Sequence, residues 1–344
     1  MKKIVFVLSI PFLLLAASCE RVLMSEGEQP TAVATFDALW QRIDEQYSMF
    51  DVKGVDWLAV RDSLRPKVYD GMKSDSLFAV CAAMLNTLHD GHVNLLSSVD
   101  ISHADSLVYH FYSYNDIDIN ALMEGYLGTD FHTTGGMIHK GLRGNRVIYT
   151  RYSSFSNTIS VSQLRYIISR YPKAEGMIID VRGNGGGNLA NVSNILKVMP
   201  SHGQLLYSSQ IKAGKGHDDF TPLVGTYAAV TADSAAYKKP VVVLIDRGCF
   251  SATSTFAIST QAYDNIILMG DTTSGGLGLP AVFVLPNGWR CRFSITRTIA
   301  LDGGNYENGV PPDVPIRLDR QGALLLRQDN IIEAACQHIL APAH

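Results

Sequence analysis

No block of lysines or arginines interrupts this 344-residue chain, and its formal net charge is only −3. A nucleic-acid partner calls for a basic stripe or patch, so the composition speaks against one. Cysteine is scarce: Cys19, Cys81, Cys249, Cys291 and Cys336 are widely spread and form no CxxC pair. That spacing indicates neither a zinc site nor a disulfide framework, although an exported protein could form a disulfide. No HExxH segment occurs, and no glycine-rich loop leads into Lys-Ser or Lys-Thr, so zinc-protease and P-loop chemistry lack their residues. Internal repeats and low-complexity segments are also missing. Lysine itself stops at Lys239, with none from there to the C-terminus.

What is present begins with an address. Lys2 and Lys3 precede an apolar run from Ile4 to Leu15, shorter than the ~20 residues that cross a bilayer as a helix. Ala16-Ala17-Ser18 and Cys19 follow. This order resembles a bacterial lipobox, in which the signal peptide is cut before the cysteine and the thiol is acylated. An ordinary secretory signal with an incidental cysteine is the plainer alternative. The resemblance implies a protein lipid-anchored through Cys19 in a bacterial cell envelope, on the periplasmic or surface face of the outer membrane. Residues 1–18 are then the signal peptide, and residues 19–31, polar with one proline, a lipidated tether.

Residues 32–96 read as a helical N-terminal lobe. Phe36, Leu39, Trp40, Ile43 and Tyr47 share one face of a helix entered from Thr35. Trp57, Val60 and Leu64 repeat the pattern until Pro66. A third helix from Ser74 carries Leu77, Phe78, Cys81, Met84, Leu85 and Leu88 and ends at His89-Asp90-Gly91-His92. Residues 97–142 read as a connecting segment too short for an added peptide-binding domain. From 143 to 325 the pattern changes. Apolar runs 147–149, 177–181, 241–245 and 266–269 alternate with helix-like segments 161–169, 189–198 and 252–262. Continuous apolar strands between helices predict an α/β core whose sheet is buried on both faces. Residues 281–285 and 289–295, around Pro286-Asn287-Gly288, predict a hairpin. Residues 326–344 form a C-terminal helix and tail.

Two segments carry candidate chemistry. Asp180-Val181-Arg182-Gly183-Asn184-Gly185-Gly186-Gly187-Asn188 lies between a strand and a helix. Its glycines permit positive φ and a nest of N–H donors, with Asp180 and Arg182 open to plain structural pairing. A dinucleotide-type phosphate loop fails, because Asn188 stands where a third glycine is needed. Ser251, in Asp246-Arg247-Gly248-Cys249-Phe250-Ser251-Ala252, opens a helix after a strand. Free N–H groups there suit a nucleophile, yet a serine that merely caps the helix is the commoner arrangement. Thr253 and Ser254 read as structural.

Taken in order, DVRGNGGGN, PVVVLIDRGCFSATSTFA and GDTTSGGLGLP, with LHDGHVNL before them and YENGVPPD after, resemble family forty-one of the serine peptidases. That family includes the C-terminal-processing proteases and the tricorn core protease. The resemblance implies a crotonase/ClpP-like sheet-and-helix core, an endopeptidase-like activity on a peptide or protein substrate, and no metal or other cofactor. It implies Ser251 as nucleophile. The processing branch pairs its serine with a lysine at the position of Gly276, and no lysine is available here. The tricorn-like branch uses a histidine base and a glutamate, which fall on His92 and Glu307. Imidazole is a base near neutral pH, and a carboxylate on its far nitrogen fixes the tautomer. Gly91 stands where tricorn has a serine. The implied oxyanion hole is the N–H of Ala252 with Gly187, or Gly186 one residue earlier. His89 competes with His92 as base, a metal pair of His89 and His92 is weak, and Glu307 could be a solvated loop acid. A silent peptide- or ligand-binding lipoprotein and an esterase or acyltransferase remain as alternatives.

Overall fold

The computed structural model describes residues 31–102 and 116–342. The signal segment 1–18, Cys19 and the tether up to residue 30 lie outside the described residues, as do residues 103–115 of the connecting segment.

The N-terminal lobe contains α1 (Ala32–Gln46), the single turn α2 (Phe50–Lys53), α3 (Trp57–Leu64), α4 (Ser74–Asn86) and the short strand β1 (Asn94–Leu96). The cap of α1 is Thr31, whose hydroxyl accepts the Ala34 N–H at 3.1 Å, rather than Thr35, which is buried within the helix. Asp56 caps α3 in the same way, and Pro66 turns its end into a 3-10 turn. The apolar stripe of α1 packs on Trp57, Leu77, Cys81, Met84 and Leu88.

The chain continues through a π-helical turn at Ala121–Leu127, then β2 (His132–Thr134), β3 (Met137–Leu142), β4 (Val147–Arg151), α5 (Val161–Arg170), β5 (Gly176–Asp180) and α6 (Leu189–Leu196). Next come β6 (Leu205–Ile211), β7 (Val224–Tyr227), β8 (Val241–Ile245), α7 (Ala252–Thr260), β9 (Ile266–Gly270), β10 (Pro280–Val284), β11 (Arg290–Ser294), β12 (Thr296–Ile299) and β13 (Val314–Pro315). Helices α8 (Arg320–Leu326) and α9 (Asn330–Leu340) complete the described chain.

Seven strands form the central sheet in the order β13-β9-β8-β5-β4-β3-β2. Strands β4, β5, β8, β9 and β13 are parallel, while β3 and β2 extend one edge antiparallel. Their order rises steadily across the sheet, so right-handed crossovers set α5, α6 and α7 on one face. Ile148, Met177, Ile179, Val241, Val243 and Ile245 point to that face. The alternate residues Val147, Tyr149, Ile178, Val242 and Leu244 meet α8, α9 and the π-helical turn on the other. Period-two packing against two apolar layers is why these strands read as unbroken apolar runs. The α/β architecture expected from the sequence is thus present.

Two features differ from the expectation. The stretch 97–142 supplies β2 and β3 to the main sheet. The hairpin β10–β11 pairs with β1 in a separate sheet, and Leu285, Trp289, Cys291 and Phe293 enter the core of the N-terminal lobe. That lobe is therefore helices closed by a three-stranded sheet. Cys81, Cys249, Cys291 and Cys336 are buried free thiols.

Candidate active site

The turn after β8 explains how Ser251 is presented. Asp246 Oδ1 accepts the Gly183 N–H at 2.7 Å and the Gly248 N–H at 2.9 Å, tying the glycine-rich segment to the serine turn. Ser251 then takes φ 56 and ψ −120, a region unfavourable for a residue with a Cβ. It occupies the N-cap position of α7 but its side chain makes no capping bond. Its Oγ lies instead 3.1 Å from His92 Nε2. The plain helix-cap reading does not fit this geometry, whereas a strained strand-to-helix turn with an outward hydroxyl does.

His92 comes from the other lobe. The corner after α4 is closed by Asp90, whose Oδ1 accepts the His92 N–H at 2.7 Å. Phe250 packs against the His92 ring at 4.7 Å between centroids. His89 is exposed, so the ring on Ser251 is that of His92. Burial pushes the His92 imidazole down to about 4, partly opposed by the Asp90 charge. At neutral pH the ring is the free base.

Glu307 is 1% exposed, and its Oε2 accepts the N–H groups of Leu277 and Gly278 at 2.7 and 2.9 Å. It is thus a buried carboxyl rather than a solvated loop acid. Burial raises its proton affinity, and the Asp90 charge adds to that shift. Its Oε1 and His92 Nδ1 have no hydrogen-bond partner of good geometry, and the Gly278 backbone also lies beside the His92 ring. Donor atoms of Asp90, His92 and Glu307 lie within 4.8 Å of one another. The structure therefore brings Ser251 and His92 into contact and Glu307 beside them, without a direct Glu307–His92 bond. Among the described residues those three are grouped with metal-ligand chemistry; His92 Nε2 faces Ser251 and both Asp90 oxygens accept from other donors, which leaves His92 Nδ1 and Glu307 Oε1.

The segment between β9 and β10 ties these pieces together: Ser251 N–H donates to Gly275 O at 2.9 Å and Gly276 N–H to Glu307 O at 3.0 Å. Gly276 has φ +75, and a Cβ there would sit 2.2 Å from the Phe250 ring. A lysine at this position would have to displace the Phe250 ring and adopt a strained backbone.

Among the candidate oxyanion donors, the Gly186 N–H is spent on Asn184 Oδ1 at 2.9 Å. The N–H groups of Gly187 and Ala252 have no protein acceptor among the described residues. Gly186 matters sterically, since a Cβ on it would lie 2.9 Å from the Ser251 Cβ. Asp180 and Arg182 make structural pairs: the guanidinium, fully buried, reaches Asp180 at 2.6 Å and Asp329 at 2.8 Å. Sequence reasoning missed Asp90 and Tyr47, whose hydroxyl meets Asp90 Oδ2 at 2.8 Å. The Asp-Gly-His spelling was the available signal for Asp90, but nothing local pointed to Tyr47.

Comparison with known proteins places the chain among peptidases. Residues 146–316 match Peptidase family S41, and residues 34–86 match the Tricorn protease C1 domain. The chain is 27% identical over 170 residues to the chloroplastic C-terminal processing peptidase of Tetradesmus obliquus, covering 49% of this chain and 34% of that protein. It is 23% identical over 183 residues to the carboxy-terminal processing protease CtpA of Bacillus subtilis, covering 53% and 37%. The chain thus spans about a third of the length of these curated relatives. A crystal structure of a candidate peptidase from Parabacteroides merdae superposes with TM-score 0.84 at 34% identity, over 91% of this chain and 98% of that one. With that relative matched along nearly its whole length and the family's segment spanning the serine turn, the chain belongs to peptidase family S41.

Proposed function

We propose that this chain is a serine peptidase that cleaves peptide bonds through Ser251, His92 and Glu307. The observation that carries the reading is the strained Ser251, which leaves its helix uncapped and puts its hydroxyl 3.1 Å from His92 Nε2. His92 takes the Ser251 proton as the oxygen attacks the substrate carbonyl. The N–H groups of Ala252 and Gly187 receive the tetrahedral oxyanion, and His92 passes its proton to the leaving amine. Water then repeats the cycle on the acyl-enzyme. Glu307 Oε1 and His92 Nδ1 are both buried and unpartnered, and one bond between them satisfies both while holding the imidazolium. Export and acylation at Cys19 are part of the same proposal, supported by the N-terminal sequence pattern.

Incubation of the full chain with casein or a peptide library, with new termini read by mass spectrometry, tests the activity. Cleavage by the wild type and none by Ser251→Ala is the expected result. Peptide binding without cleavage would favour a silent binding lipoprotein. Turnover of activated esters alone would favour esterase or acyl-transfer chemistry.

A further inference from the structure

Asp90 is 2% exposed, between Tyr47 at 0% and His92 at 3%. Its two oxygens are divided between lobe and loop: Oδ2 accepts the Tyr47 hydroxyl at 2.8 Å, and Oδ1 accepts the His92 main-chain N–H at 2.7 Å. An asparagine or serine could close the same turn without the desolvation cost of a buried carboxylate. What an aspartate adds is charge. That charge lies beside the His92 ring, whose Nδ1 has no hydrogen-bond partner, and beside Glu307.

The other charged and titratable groups facing this point come from three further elements. Lys53 of α2 donates to His89 O at 3.3 Å and Asn308 Oδ1 at 2.8 Å, and Arg292 of β11 donates to His92 O at 3.3 Å. Both cations disfavour an imidazolium at His92, and Asp90 opposes them. Glu307 shares its own carboxyl with the Leu277 and Gly278 N–H groups. Asp90 is therefore the carboxylate bonded to the His92 loop itself, anchored through Tyr47 to the end of the first helix.

We propose that Asp90 is a positioning residue, fastening the His92 loop to the N-terminal lobe through Tyr47 and supplying the fixed negative charge beside the imidazole that takes the Ser251 proton. The inference rests on His92 being the base. Asp90→Asn keeps the shape and the turn but removes the charge. The rate of Ser251 modification by a fluorophosphonate, followed against pH, should fall roughly 10- to 100-fold, with its acid limb moved to lower pH because imidazolium has lost its counter-charge. Tyr47→Phe keeps the charge and removes one bond, so its rate should fall roughly 3- to 10-fold with the limb unmoved. A wild-type rate and limb in Asp90→Asn overturns the proposal. So does a rate loss with an unmoved limb and weakened thermal unfolding, the signature of a structural turn residue. Should Asp90→Asn not fold, an unchanged rate in Tyr47→Phe overturns it. Failure of the base assignment looks different: His92→Ala would then label as fast as the wild type.

Discussion

Replacing His92 by alanine is expected to slow acylation of Ser251 by roughly 10²- to 10⁴-fold, the usual contribution of a positioned general base. A serine hydroxyl is a weak nucleophile, and in the proposed mechanism the ring nitrogen 3.1 Å from it takes its proton. No downstream lysine can replace the ring, since the chain has none after Lys239, and Lys53 Nζ is bonded to His89 O and Asn308 Oδ1. The pH dependence separates this base from an ordinary surface histidine. Because burial depresses His92 to about 4, the free base persists below the usual imidazole range, and the wild-type rate should hold through pH ~6.5 and fall only toward the lower value. Stability carries the same sign. The unfolded chain takes up the proton first as pH falls, so the contribution of neutral His92 is present above about 6.5 and lost toward about 4. Labelling rates measured from pH 4 to 8, with thermal unfolding as a control, check both. A His92→Ala rate equal to wild type would contradict the assignment, whereas an acid limb near 6.5 would mean that burial does not depress the ring.

Arg182→Ala should cost about 3–5 kcal/mol of stability. Its guanidinium grips Asp180 through Nε at 2.9 Å and Nη2 at 2.6 Å, while Nη1 meets Asp329 at 2.8 Å and Asp116 O at 2.6 Å. Every charge in this group is fully buried or nearly so. Alanine would strand two carboxylates, one of which, Asp329, also caps α9 through the Ile331 and Ile332 N–H groups. Such a loss is a large part of the roughly 5–15 kcal/mol that holds a domain together. Arg182→Lys should fall between, because an ammonium cannot reproduce the two-pronged contact. The shift in urea midpoint decides. A change below about 1 kcal/mol would mean that the buried cluster tolerates an unpaired charge.

The strands of the core were legible because residues such as Val241–Ile245 must be apolar on both faces. Ser251, His92 and Glu307 were legible as candidates from motif order, but their sequence neighbours could not decide between cap and nucleophile at Ser251. Its backbone torsions and the His92 contact support the nucleophile reading. Strand β3 escaped notice because Met137–Leu142 interrupts its apolar positions with His139, Lys140 and Gly141. The hairpin β10–β11 was read correctly as a hairpin, but its packing partners Phe78 and Leu95 lie far away in sequence. The same holds for Tyr47 and Asp90, joined only by folding. Gly187 and Gly186 could not be ranked until the Asn184 side chain was seen to take the Gly186 N–H.

Mass mapping of the full chain after exposure to a fluorophosphonate tests the central claim most directly. The account predicts one phosphonyl adduct on Ser251, absent from Ser251→Ala, with buried Ser254 and Thr253 unmodified. A wild-type chain that takes no adduct, or a Ser251→Ala chain that takes the same one, would contradict it.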